Sequence, residues 1–359
     1  FAESYLLVRW ISCHWRECCE SWFTNVFSLK TVMFYEGYYF EGSLASTVFY
    51  MIVAVFTVVG NSLVFITFVK DPYGQLRKRR NYFLVNLAVS DIIMGACAEP
   101  LLACGYWYKK DQIFFAHYLF AIISGASSLT SLTALTIIRY YALKDPFEYE
   151  MLISSKRVLA GVVLIWLQSG HLALLPVLGW QTPSYQLYLY GVGFSIPCIF
   201  IFLAYFGILR SIRHYTKNVM KVNATIDSRS SSAFYLSTEA IENQGQVSRP
   251  ENNGVRTRRA VEREKNVTKT LLIVMCIFVL SWLPMLIVDV LMVQCVSCRN
   301  WENIHLARDV TLTITYFSSG VNPILYTLRM RQFRAAVIKL LGLGDWVIVM
   351  PYKRNQQNS

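Results

Sequence analysis

The chain has 359 residues, 55% of them hydrophobic and only 16% charged, with a formal net charge of +12. A soluble chain carries about 25% charge, so this composition excludes an ordinary water-soluble globular protein. The positive charge does not describe a nucleic-acid binder either, because of where it lies. Arg77, Lys78, Arg79 and Arg80, then Lys156 and Arg157, then Arg256, Arg258, Arg259, Arg263 and Lys265, then Arg329, Arg331 and Arg334 fall in alternate links between apolar blocks. In a seven-pass weave these links share one side, which positive-inside asymmetry makes cytoplasmic.

Residues 1–44 read as an extracellular N-terminal segment. They hold no apolar run ahead of a small-residue cleavage site, so no clean signal peptide is expected, and Phe1 in place of Met suggests a truncated start. Seven apolar blocks follow, at 45–69, 81–105, 115–143, 157–179, 187–214, 265–292 and 305–328. Each is long enough to cross a hydrocarbon core of about 30 Å. The fold class is therefore an all-α membrane protein, a seven-transmembrane helix bundle spanning 45–341. It is expected in the plasma membrane, multi-pass, with its N-terminus extracellular. The stretch 216–262 is polar and aperiodic and reads as a mostly disordered cytoplasmic loop joining extensions of helices five and six. Only Gln181 to Gln186 separates the fourth block from the fifth. After the seventh block, 329–341 forms a short amphipathic eighth helix with Phe333, Val337, Leu340 and Leu341 on one face, followed by a cytoplasmic tail at 342–359.

Polar groups inside the blocks need a use, because an ionisable residue costs several kcal/mol in the bilayer. Asp91 lies mid-way along helix two, with Asn61 in helix one, Ser128 in helix three, and Ser318, Ser319 and Asn322 in helix seven at matching depth. One reading is a carboxylate satisfied by hydroxyls and amides. The other is a Na⁺ site built by Asp91, Ser128 and Asn322, since oxygen ligands suit a hard cation. Arg139 ends helix three on the basic side, where it either snorkels or serves a partner, and Glu264 begins helix six on that side. Pro197, Pro284 and Pro323 each remove a backbone hydrogen bond, so helices five, six and seven can kink there.

In order, these residues resemble the signature set of the rhodopsin-like G protein-coupled receptors across roughly residues 45 to 340. Gly60-Asn61 resembles the helix-one motif and Leu87 to Asp91 the helix-two LxxxD. Trp107 resembles the first outer-loop tryptophan, Arg139-Tyr140 with Pro146 the DRYxxxxxP motif, and Trp166 the helix-four tryptophan. Pro197 with Tyr205 resembles the helix-five pair, Phe278 with Trp282 and Pro284 the FxxxCWxP switch, and Asn322-Pro323 with Tyr326 the NPxxY motif. The resemblance implies a receptor rather than an enzyme. Its partners would be an extracellular small-molecule or peptide ligand, membrane lipid and a heterotrimeric G protein. The coupling switch would comprise Arg139, Tyr140, Glu264, Tyr205, Phe278, Trp282, Pro284, Asn322, Pro323 and Tyr326. No cofactor is expected beyond an allosteric Na⁺.

Departures narrow the reading. Ile138 replaces the acid of the DRY motif, leaving Glu264 as the resting partner for Arg139 and pointing to raised basal signalling or lost coupling. Phe114 stands where the family has its helix-three cysteine, so the common extracellular disulfide cannot form, and Cys295 with Cys298 is expected to pair instead. The short second outer loop, that cysteine pair, Pro146-Phe-Glu-Tyr-Glu-Met and Leu328-Arg-Met-Arg-Gln-Phe333 look closest to the adenosine and melanocortin receptors, without matching either ligand set. Amine receptors of the family need a helix-three Asp where Ala121 stands, and opsins a helix-seven Lys where Tyr316 stands. The ligand pocket would be lined by Ala121, Ile122, Gly125, Met285, Leu286, Asp289, Leu312 and Tyr316, mostly apolar with one acid near its mouth. A transporter or channel is the remote alternative. It predicts internal repeats and more intramembrane charge, and the sequence has neither. The five histidines (14, 117, 171, 214 and 305) are scattered, with no metal-binding spacing.

Overall fold

A computed structural model describes residues 44–144, 149–151, 153–211, 213, 251–295, 297–300 and 303–342. The N-terminal segment with Cys13, Cys18 and Cys19, the proline of the Arg-Tyr motif at 146, residues 214–250 and the tail from 343 lie outside them.

Eight helices follow one another: α1 Leu44–Lys70, α2 Tyr82–Tyr108, α3 Asp111–Lys144, α4 Ser155–Val177, α5 Pro183–Ser211, α6 Glu251–Gln294, α7 Ile304–Arg329 and α8 Arg331–Leu340. Seven of them form the bundle expected from the sequence. α1 packs against α2 and α7, α2 against α3, α3 against α4, and α6 against α7, while the first turns of α5 meet α6 and α3. α3 runs through the middle and is buried along most of its 34 residues. α8 folds back from α7 against α1, burying Phe333, Ala336 and Val337 and leaving Leu341 exposed.

Local chemistry sets the breaks. Asp71 ends α1 in a left-handed conformation (φ 37°). Its carboxylate then accepts the backbone N–H groups of Gln75, Leu76 and Arg77 at 2.9–3.1 Å, ordering the link to α2. Partial burial disfavours the charged carboxylate, but these three donors win and hold it below the usual carboxylate range. α2 widens into a π turn at Met94–Ala98 directly before Glu99-Pro100. Pro100 has no N–H to donate to the preceding turn, and the wider turn absorbs that defect. α5 does the same at Gly191–Ser195, two residues before Pro197.

Two boundaries differ from the sequence reading. α6 is helical from Glu251, so 251–262 belongs to a helix rather than to the loop. Three arginines and two glutamates, all good helix formers, favour the helix there despite Asn252, Asn253 and Gly254. α5 starts at Pro183, inside the link read as Gln181 to Gln186, because proline is well placed in a first helical turn. Among the described residues, six helices are long and apolar enough to cross a membrane. α7 falls short in apolarity because it carries Arg308, Asp309, Thr315, Ser318, Ser319 and Asn322, most of them turned into the bundle.

Candidate functional site

The centre of the bundle is a polar layer. Asp91 is 1% exposed, with Ser128 of α3 donating to its Oδ1 at 3.0 Å and Asn322 of α7 to its Oδ2 at 2.8 Å. The Ser319 side chain also lies near this carboxylate. Asn61 of α1 donates to the carbonyls of Thr57 (2.9 Å) and Ser319 (3.2 Å). Three helices, α2, α3 and α7, thus meet at one carboxylate whose partners are neutral, with Asn61 of α1 bonded beside it, and the oxygens of Asp91, Ser128 and Asn322 form a set that a hard monovalent cation could share.

A second polar ladder runs beside it and was not singled out from the sequence. Asn86 donates to Ser131 Oγ (2.8 Å) and accepts from the Trp166 indole (2.9 Å), while Ser90 and Ser127 share a hydrogen bond of 2.7 Å. The signal was present in the spacing. Ser124, Ser127, Ser128 and Ser131 recur every three or four residues, which puts them on one face of α3.

Above this layer Trp282 and Phe278 stack at 5.3 Å with 16° between their planes. Trp282 presses on α3 at Gly125, where an added Cβ would come within 2.3 Å of its Cη2. Only a glycine lets the indole sit there. Two residues on, Pro284 lies inside α6 and removes one backbone hydrogen bond from it.

The residues expected to line a ligand pocket fall into more than one packing cluster. Ala121, Met285, Leu312 and Tyr316 pack in one cluster with Trp282. Ile122 joins a different cluster between α3, α4 and α5. Asp289 is no free acid: its Oδ1 pairs with Arg308 of α7 at 3.0 Å and its Oδ2 accepts the Tyr190 hydroxyl at 2.9 Å. Arg308 is the residue that the sequence reading overlooked here. Tyr316 shares a 3.0 Å hydrogen bond with His117 Nε2, whose Nδ1 lies 2.9 Å from the Ala98 carbonyl. Asp309 accepts from Tyr50 (2.8 Å) and Tyr106 (3.0 Å), tying α1, α2 and α7 at the same end. Beyond α6, Cys295 and Cys298 are bonded to each other with their Cα atoms 5.2 Å apart.

The opposite, basic end holds the remaining residues of the expected switch. Arg139 is 5% exposed, close to Tyr205, which the Thr136 side chain also reaches. Ile138 is packed in the main apolar core with Tyr205, Phe278 and Tyr326. Tyr140 lies against Gly207 of α5, where a Cβ would come within 2.4 Å of its ring. Tyr326 is fully buried and its hydroxyl has no hydrogen-bond partner among the described residues. Glu264 lies within α6 but its side chain is outside the described residues, so its pairing with Arg139 is not described.

Residues 60–326 match the family model for the 7 transmembrane receptor (rhodopsin family). The chain is 26% identical over 311 residues to the octopamine receptor beta-1R of Drosophila melanogaster, covering 79% of this chain and 59% of that protein. It is 24% identical to 5-hydroxytryptamine receptor 2C of Rattus norvegicus, covering 81% of this chain and 70% of that one. Its fold is similar to squid rhodopsin, with a TM-score of 0.71 over 92% of this chain and 94% of that chain at 18% identity.

Proposed function

The chain belongs to the rhodopsin family of seven-transmembrane receptors, and from that premise we propose that it carries an extracellular signal to a heterotrimeric G protein across the plasma membrane. The basic end, with α8, faces the cytoplasm, and the Cys295–Cys298 end faces outward. The observation that carries this reading is the wedge of Trp282 on Gly125. It sits between the outer cluster around Tyr316 and the buried Arg139 at the cytoplasmic end, with Pro284 two residues further along α6.

The mechanism follows from that placement. A ligand entering near Ala121, Met285 and Tyr316 shifts Trp282. α6 then swings outward about Pro284 and uncovers Arg139 to the G protein, a two-state change biased by differential affinity. Asp91, Ser128 and Asn322 would hold the Na⁺ that the family implies, and its charge would favour the resting packing. The salt response of basal signalling at constant ionic strength is therefore expected to differ between wild type and Asp91→Asn; identical responses would remove Na⁺ from this account.

The relatives above are named for octopamine and 5-hydroxytryptamine, but this chain offers no ammonium anchor of the amine-receptor kind. Ala121 stands at the helix-three position, and Asp289 is already paired with Arg308. A small molecule without a required ammonium, or a peptide, fits better. The likeness to adenosine and melanocortin receptors rests on the short α4–α5 link, the cysteine pair and the runs at 146–151 and 328–333; the relatives above are of neither kind, and the likeness carries no ligand with it. Nucleotide exchange on purified G protein, with and without the reconstituted chain, tests the proposal. Acceleration supports it, and no acceleration with every G protein class would overturn it.

A further inference from the structure

A second carboxylate lies in the interior of the bundle, two turns along α2 from Asp91 and near enough to feel its charge. Glu99 follows the π turn of α2 and is 0% exposed, yet neither of its oxygens has a hydrogen-bond partner. The Thr57 hydroxyl faces it from α1, also fully buried and also outside hydrogen-bonding geometry. One turn along α1, the Asn61 Oδ1 is a further buried oxygen without a donor.

Two glycines let the neighbouring helices approach this corner closely. Gly95 of α2 and Gly320 of α7 both face Thr57. A Cβ on Gly95 would meet Thr57 Cβ at 3.0 Å, and one on Gly320 would meet Thr57 Oγ1 at 3.2 Å. Two basic side chains in this half of the bundle are engaged elsewhere. Arg308 pairs with Asp289, and both ring nitrogens of His117 lie within hydrogen-bond distance of other groups. A buried carboxylate without donors or counter-charge must be neutralised. A proton would satisfy one oxygen and leave the others bare, whereas a small hard cation can bind several at once. Among the described residues no group of three or more His, Cys, Asp or Glu converges, so the charge available suits a monovalent ion.

We propose that Glu99 and Thr57, in the corner between α1, α2 and α7, form a second sodium site, separate from Asp91. The reading needs neither ligand nor G protein, so a stability measurement tests it independently of receptor activity. The full-length chain in detergent is unfolded by heat across a NaCl titration, with N-methyl-glucamine chloride holding ionic strength constant, at two pH values. Asp91→Asn is expected to keep a saturable upward shift of Tm with Na⁺. Adding Glu99→Gln should abolish that shift, and adding Thr57→Val should move its midpoint several-fold to higher Na⁺. If Asp91→Asn is too unstable to purify, Glu99→Gln alone is expected to reduce the total Na⁺-dependent shift of the native chain. The proposal is overturned if Asp91→Asn loses all response to Na⁺. It is equally overturned if Asp91→Asn responds to pH but not to Na⁺, which means a proton, or if Glu99→Gln leaves the native titration unchanged.

Discussion

At Gly125 a single missing Cβ decides where Trp282 rests. An alanine there would collide with the indole at 2.3 Å, and an indole cannot give way as a flexible side chain does. Gly125→Ala is expected to cost on the order of 1–3 kcal/mol, as overpacking in cores generally does, seen as a fall in Tm together with altered basal exchange; an unchanged Tm and unchanged exchange would show that the wedge is incidental. Ile138 acts at the other end. It fills the apolar core where the family's acid would hold the neighbouring arginine, so the resting state lacks that restraint. Ile138→Asp is expected to lower basal nucleotide exchange and Glu264→Ala to raise it at matched surface expression. A term of about 1.4 kcal/mol corresponds to a roughly tenfold change in a small active fraction. Rates unmoved in both variants would count against the two-state account.

Between elements, the tie from Asp289 of α6 to Arg308 of α7 matters most, because α6 is the helix proposed to move. The pair is largely buried, with side-chain exposures of 4% and 11%. Removing one partner of such a pair typically costs about 3–5 kcal/mol, since the other is left as an uncompensated charge. Arg308→Gln should therefore lower Tm clearly, and the double variant with Asp289→Asn should recover part of that loss; additive losses would mean the two do not act as a pair. This tie also marks where sequence reading stopped. Helices α1 to α6 were legible because each carries an apolar run of a membrane's thickness, and Asp91 was legible because an acid in such a run demands partners. Asp289 was read as a free acid at a pocket mouth because a linear sequence does not show that Arg308, nineteen positions later, returns to the same height on the next helix. The serine face of α3 could have been read from its spacing. The unpartnered state of Glu99 could not, since its environment is assembled from three separate helices.

Over the whole molecule, α7 differs in kind from its neighbours. α1 presents Ile52, Val55 and Val59 outward and meets the requirement for crossing a membrane by composition alone. α7 carries an arginine, an aspartate, several hydroxyls and an asparagine, and its stability in the bundle depends on Tyr50, Tyr106, Asp289 and Asp91 from helices made before it. During synthesis it cannot leave the insertion machinery on its own apolarity. Arg and Asp at a helix centre oppose insertion by roughly 2.5–3.5 kcal/mol each, less toward the ends. Its integration must wait for the earlier helices to offer their polar faces. Placed alone in a glycosylation-scored insertion reporter, the α7 segment is expected to integrate in a minority of chains and the α1 segment in nearly all. In the full-length chain, replacing Tyr50 and Tyr106 together with phenylalanine should leave α1 inserted while raising the fraction with the C-terminus on the wrong side. Equal integration of the two isolated segments would show that α7 needs no such help. A receptor built this way ties membrane insertion to folding, so damage to its interior partners is expected to appear first as a failure of biogenesis and degradation, before any change in signalling can be measured.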